Sequence, residues 1–161
     1  MDFTKKGVRY IILLAPLIFI CHFLEEAHGF VAWFNLHVSR DISSRLFWSV
    51  NVSALAITLF VILIELTAPS RFSVLLTVLW LSFLMLANAV FHIAGGIMDK
   101  GYVPGLITAI ILYIPYYSLI IVKTVKTGRV GKYLITGSAV LGALPMLVHG
   151  YKILFLGGRL F

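Results

Sequence analysis

Polar and apolar positions are segregated along this chain into long blocks. Five apolar runs of about 20 residues, the length that carries a helix across about 30 Å of hydrocarbon at 1.5 Å per residue, begin near Tyr10, Leu46, Phe72, Val103 and Tyr133. They predict five membrane-spanning helices at approximately 9–35, 46–66, 72–98, 103–122 and 133–156, in an all-α, polytopic bundle that forms a single domain over 1–161. The first run is longer than a straight span requires, so it must tilt, kink near Pro16, or emerge as an interfacial segment. Thr67-Ala68-Pro69-Ser70 reads as the turn of a helix hairpin. Pro104 suits the opening of the fourth helix, and Pro145 predicts a kink in the fifth.

Composition agrees with the blocks. Apolar residues make up 61% of the chain and charged residues 12%, with a mean hydropathy of +1.04; so few polar side chains cannot cover a soluble surface. The net charge of +7 would suggest nucleic acid if it were spread over a soluble surface. The basic residues instead flank the apolar runs, as membrane anchors do, so no nucleic-acid partner is expected. If the N-terminus is cytoplasmic, that face carries Lys5, Lys6, Arg9, Arg71, Lys123, Lys126, Arg129 and Lys132, and the opposite face carries Arg40, Arg45, Lys100, Lys152 and Arg159. The excess predicts N-terminus in and C-terminus out. Lys5, Lys6 and Arg9 before Tyr10 to Cys21 would suit a signal peptide, but no small-x-small site follows, and the first span is read as retained. Cys21 is the single cysteine, which excludes an intrachain disulfide and a cysteine zinc site.

The candidate chemistry is the charge that interrupts the first span. In His22-Phe23-Leu24-Glu25-Glu26, a helix places Glu25 about 60° to one side of His22 and Glu26 about 40° to the other, so all three project from one face. Ionisable groups inside a membrane are expensive and mark function. The alternating topology sets Asn51, Asn88, His92, Thr108 and His149 at matching depth, between the midplane and the outer interface. Asn88 and His92 are i and i+4 on one face. Glu65 falls at the other end of the second span and reads as an interfacial or helix-terminal charge.

This pattern resembles the HXXEE family of small integral membrane proteins, named for a motif that here is His22-Phe23-Leu24-Glu25-Glu26. The resemblance runs the length of the chain, through Asn88 to His92, Gly101-Tyr102-Val103-Pro104-Gly105 and His149-Gly150-Tyr151. It implies a membrane protein with a His and Glu active or metal site, and supplies no substrate. With the compactness of the chain it makes a bacterial cytoplasmic membrane the expected location.

The leading expectation is a metal-dependent membrane hydrolase acting on a lipid or other amphiphile. His22, Glu26, His92 and His149 are the expected ligands of a divalent zinc, iron or manganese ion, with no organic cofactor. Glu25, Glu26 and Asn88 are the expected catalytic groups, the spare carboxylate acting as base, and Asn51, Tyr102 and Thr108 are expected to line the substrate pocket. The same cluster would also serve a metal-free acid and base enzyme that isomerises or hydrolyses lipids, or a proton relay or transporter. Membrane lipid is the expected partner because a pocket among helices near the interface meets acyl chains first.

Overall fold

The computed structural model describes residues 10–161, which are helical with no strand among them. The anchors Lys5, Lys6 and Arg9 and the start of the first predicted span lie outside the described residues. The first apolar run does not form one long helix. It is broken into α1 (Ala15–Glu26) and α2 (Phe30–Asn35). Pro16 opens α1 in its first turn, where its missing amide would have had no partner. A turn through Ala27, His28 and Gly29 then redirects the chain, and a Cβ on Gly29 would lie 3.3 Å from the Pro104 ring.

Four helices among the described residues are long and apolar enough to cross a membrane: α3 (Ser44–Thr67), α4 (Arg71–Met98), α5 (Leu106–Lys126) and α6 (Lys132–Leu156). The chain is a membrane protein. Its outward faces carry Phe60 and Leu63 of α3, Ile110 and Ile111 of α5, and Leu141 and Leu144 of α6, all exposed, a surface that only lipid can cover at this density. The second through fifth predicted spans therefore correspond to single helices, and the first does not. Pro145 lies inside α6, which continues through it.

The centre of the bundle is α4. Its most apolar window is 56% buried, against 28 to 33% for the other three helices. Against α6 it packs backbone to backbone: a Cβ on Gly142 would stand 2.0 Å from the Leu79 carbonyl oxygen, and the Ser138 hydroxyl donates to the Leu75 carbonyl at 2.7 Å. Small residues permit this approach where no hydrophobic effect draws helices together.

Polar clamps close both ends. At one end Glu65 lies in the last turn of α3, the helix-terminal place expected, but is buried; it accepts from Ser73 and pairs with Arg129, whose guanidinium also donates to the Ser70 carbonyl. The ends of α3, the start of α4 and the α5–α6 loop are thereby joined. Ser70 and Ser73 exchange hydrogen bonds as a capping box that starts α4. At the other end the Trp33 indole N–H and the His37 ring both donate to Asp99, tying α2 to the end of α4. The Trp33 hydrogen bond is the main influence holding the Asp99 carboxyl below the usual carboxylate range.

Both α4 and α5 contain a widened π-helical turn, at Ser82–Ala87 and Ala109–Tyr113. Such turns shift the register of everything that follows by part of a turn. Asn88 and His92 come directly after the first, and Tyr113 ends the second.

Gly142→Ala is expected to force α4 and α6 apart and to destabilise the protein in detergent by about 2 kcal/mol or more. Gly137→Ala, on the same helix with open space around the added methyl, should be neutral or slightly stabilising. Thermal unfolding of the two variants side by side checks the assignment.

Candidate functional site

One turn of α1 separates His22 from Glu26, so both point toward α4, where His92 meets them. His22 and His92 are fully buried and Glu26 is 5% exposed. The Nε2 of His92 lies 2.9 Å from Glu26 Oε1, and the Nε2 of His22 lies 3.4 Å from the same oxygen. One ligand-type atom from each of the three residues falls within 4.8 Å of the others, the combination of imidazole nitrogen and carboxylate oxygen that holds divalent zinc, iron or manganese.

The second glutamate of the motif points elsewhere. Glu25 accepts from the Tyr102 hydroxyl at 2.9 Å, the Ile107 amide at 3.2 Å, the Thr108 amide at 2.8 Å and the Thr108 hydroxyl at 2.6 Å. It thus caps the N-terminus of α5 from another helix, an arrangement favoured by the unpaired amides and the positive end of the helix dipole. Burial and this carboxylate push the Tyr102 phenol up from its usual value, keeping it a donor. Because the Thr108 proton goes to Glu25, the Thr108 oxygen must accept at its 2.8 Å contact with His22 Nδ1. His22 therefore carries its proton on Nδ1, and a neutral ring presents a bare lone pair at Nε2 toward Glu26.

The loop before α5 is shaped to permit this. Gly105 adopts φ +95, and a Cβ there would lie 2.6 Å from His92 Cε1 and 3.0 Å from Glu26 Cγ. No side chain fits without moving the cluster.

Among the described residues, the buried side-chain polar atoms without a hydrogen-bond partner are His22 Nε2, His92 Nδ1, Tyr113 Oη and Asn88 Oδ1. Buried polar atoms are paired almost everywhere in native proteins, so unpaired ones grouped together signal a site. Tyr113 was not singled out by sequence reasoning. It is fully buried, and its ring stands 4.1 Å from that of His22. Thr108 and Tyr113 would be about 140° apart on an ideal α-helix; the π turn between them brings both against His22.

Glu26 also lines a cavity of about 350 Å³. Its walls are mostly aromatic and aliphatic, from Phe19, Phe30, Phe34, Phe47, Phe83 and Phe91 among others, with Asn51, Asn88, His149 and Arg159 as polar points. His22 and His92 do not line it. Of the residues expected in the pocket, Asn51 faces the cavity, whereas Tyr102 and Thr108 are engaged with Glu25. His149 is not brought to the trio. Its Nδ1 accepts the Leu160 amide at 3.0 Å, and Phe161 stacks on its ring at 4.1 Å with a 7° interplanar angle.

The model of a family described as protein of unknown function with HXXEE motif matches residues 13–120, well over half of the chain. The matched region contains His22, Glu25, Glu26, His92, Thr108 and Tyr113 and stops before α6, so His149-Gly150-Tyr151 lies outside it. Neither the curated proteins nor the solved structures yield a match.

If Thr108 sets the tautomer of His22, nitrogen NMR of histidine-labelled protein should show His22 with its proton on Nδ1, and Thr108→Val should remove that preference while leaving His37 unchanged. A wild-type His22 protonated on Nε2 alone would refute the relay.

Proposed function

The chain belongs to the HXXEE-motif family, and we propose that it is a membrane enzyme, a hydrolase of lipids or other amphiphiles, in which His22, Glu26 and His92 hold a divalent metal ion. The observation that carries this reading is that the Nε2 atoms of His22 and His92 converge on one buried Glu26 oxygen, at 3.4 and 2.9 Å; in the Nδ1 tautomer of His22, its lone pair and that oxygen are both acceptors. Two acceptors so placed repel unless a cation lies between them. Tetrahedral ligands at 2.0 to 2.1 Å from zinc lie about 3.4 Å apart, the separation found here. His92 and Glu26 need to part by about half an ångström to reach the same spacing. Zinc, iron and manganese all suit the donor set.

When bound, the ion supplies a Lewis acid that polarises a carbonyl or phosphoryl oxygen. The residues of the chain do the rest. Glu25 acts through Thr108: it fixes the proton of His22 on Nδ1, the outer-shell orientation that metal-binding histidines require. Glu26 is the member of the trio that also faces the cavity, so a substrate there meets its carboxylate directly. Asn88, with an unpartnered amide oxygen beside the cavity, is placed to orient the substrate.

In this reading α1 and α2 together make a fifth, broken crossing of a bacterial cytoplasmic membrane, with the N-terminus inside and the site in the outer half. Support comes from Arg71, Lys123, Lys126, Arg129 and Lys132, which gather at the end of the bundle joined by Glu65 and Arg129, opposite the His and Glu cluster.

A metal-free acid and base enzyme is the second reading, favoured by the 2.9 Å contact of His92 with Glu26. Elemental analysis of untagged protein purified in mild detergent without chelator separates the two. About one metal per chain is expected, lost from the His22→Ala, His92→Ala double variant. Wild-type protein that stays metal-free after incubation with zinc, iron and manganese would exclude the metal enzyme and leave the acid and base reading.

A further inference from the structure

We propose that the cavity and the depression outside it form one bipartite site for a single-chain phospholipid, with the chain inside and the phosphate headgroup at Arg40 and Arg159. The proposal names the substrate class of the cavity just described and rests on that cavity being the substrate site.

The depression has a volume of about 460 Å³ and is formed by Val38, Ser39, Arg40 and Leu46 together with residues 157–161. It shares Leu46, Arg159 and Phe161 with the inner cavity, so the two spaces adjoin through those three side chains. Their chemistry differs as the two ends of an amphiphile differ. The inner space is walled by phenylalanines, whereas the outer one carries two guanidinium groups, neither of which has an ion-pair partner among the described residues. Two forked guanidiniums suit the several oxygens of a phosphate better than the two of a carboxylate. The inner volume of about 350 Å³ is near the lower end of the range for ligand pockets, room for one chain rather than two.

The rim is held in shape. Ser39 donates both its amide and its hydroxyl to the Gly157 carbonyl, at 2.9 and 2.6 Å, and the Leu160 amide is anchored on His149. That bond leaves His149 with its proton on Nε2, a donor at the cavity wall. Val50 lines the cavity and is 52% exposed. The chain of a lipid thus has a lateral way in from the bilayer, while its headgroup stays at the interface.

The test is binding of radiolabelled 1-oleoyl lysophosphatidate to the protein in nanodiscs of phosphatidylcholine, with oleate and monooleoylglycerol as probes of the headgroup. Lysophosphatidate is expected to bind tightest. The Arg40→Ala, Arg159→Ala double variant should weaken it about tenfold or more and leave monooleoylglycerol unchanged. Ala54→Phe, which fills the inner cavity, should weaken all three probes, and Val50→Trp, at a half-exposed position, should do the same where the first variant folds poorly. Binding is read here without turnover or added metal, so its outcome stands whatever becomes of the metal reading. Equal binding by wild type and the arginine double variant would overturn the proposal, as would oleate binding as tightly as lysophosphatidate, or binding insensitive to both cavity-filling variants.

Discussion

The carboxylate of Glu25 rests on the open N-terminus of α5, and the arrangement of the site follows from it. An ionised carboxylate within a helix bundle is tolerated only where donors surround it. Four donors do so here, from Tyr102, Ile107 and Thr108. Supplying them requires the chain to turn sharply between α4 and α5, which explains the left-handed Gly105 and the closeness of that turn to His92. The same contact fixes α1 against α5. Glu26, one residue further and about 100° around the helix, is then directed at α4. Two adjacent glutamates therefore serve two different helices, one as a cap and one as a site group.

Stability and function are set against each other in the same few turns. The Glu65 clamp satisfies each of its polar atoms, and the α4–α6 contact is built from backbone and small side chains. By contrast, four buried polar atoms among the described residues lack partners, two in the trio on His22 and His92 and two on Tyr113 and Asn88, and each such atom costs about 1 to 3 kcal/mol. Two π turns adjoin this region, and π turns are themselves less favourable than the α-helix they interrupt. A bundle selected only for stability would have no use for such a concentration of cost. The bundle carries it at one place, while at the opposite end the buried Glu65 carboxylate is paired through both oxygens.

Much of this was legible from residue type and spacing. The long apolar blocks predict α3 to α6, because a membrane helix must satisfy its backbone internally and needs a continuous apolar exterior. His22, Glu26 and His92 stand out because burying them would be wasteful without a use. The break of the first run was harder to place: apolar residues continue past Glu26, and what ends α1 is the long-range demand of Glu25 for the amides of α5. Tyr113 was hidden because helical phase places it away from Thr108, and only a π turn restores their common side. His149 looked equivalent to His92 by depth, yet depth does not carry rotation around the bundle, and the backbone of Leu160 occupies its ring nitrogen. Glu65 is the helix-terminal charge it was read as, but its burial against Arg129 was hidden because that partner is 64 residues away.

Two of the buried histidines, His22 and His149, differ through the partner of one ring nitrogen each. Thr108 accepts from His22 Nδ1 and so leaves a lone pair at Nε2 beside Glu26. Leu160 donates to His149 Nδ1 and so leaves a proton on Nε2. The inner end of the site therefore offers acceptors, suited to a cation, while the cavity wall and rim offer donors and two guanidinium charges, suited to an anion. An amphiphile in the cavity would lie along that gradient, its negative headgroup toward Arg40 and Arg159 and its chain reaching past Glu26. The polarity is set by a hydroxyl and a backbone amide, neither of which titrates near neutral pH, so the direction in which a ligand enters is a property of the fold.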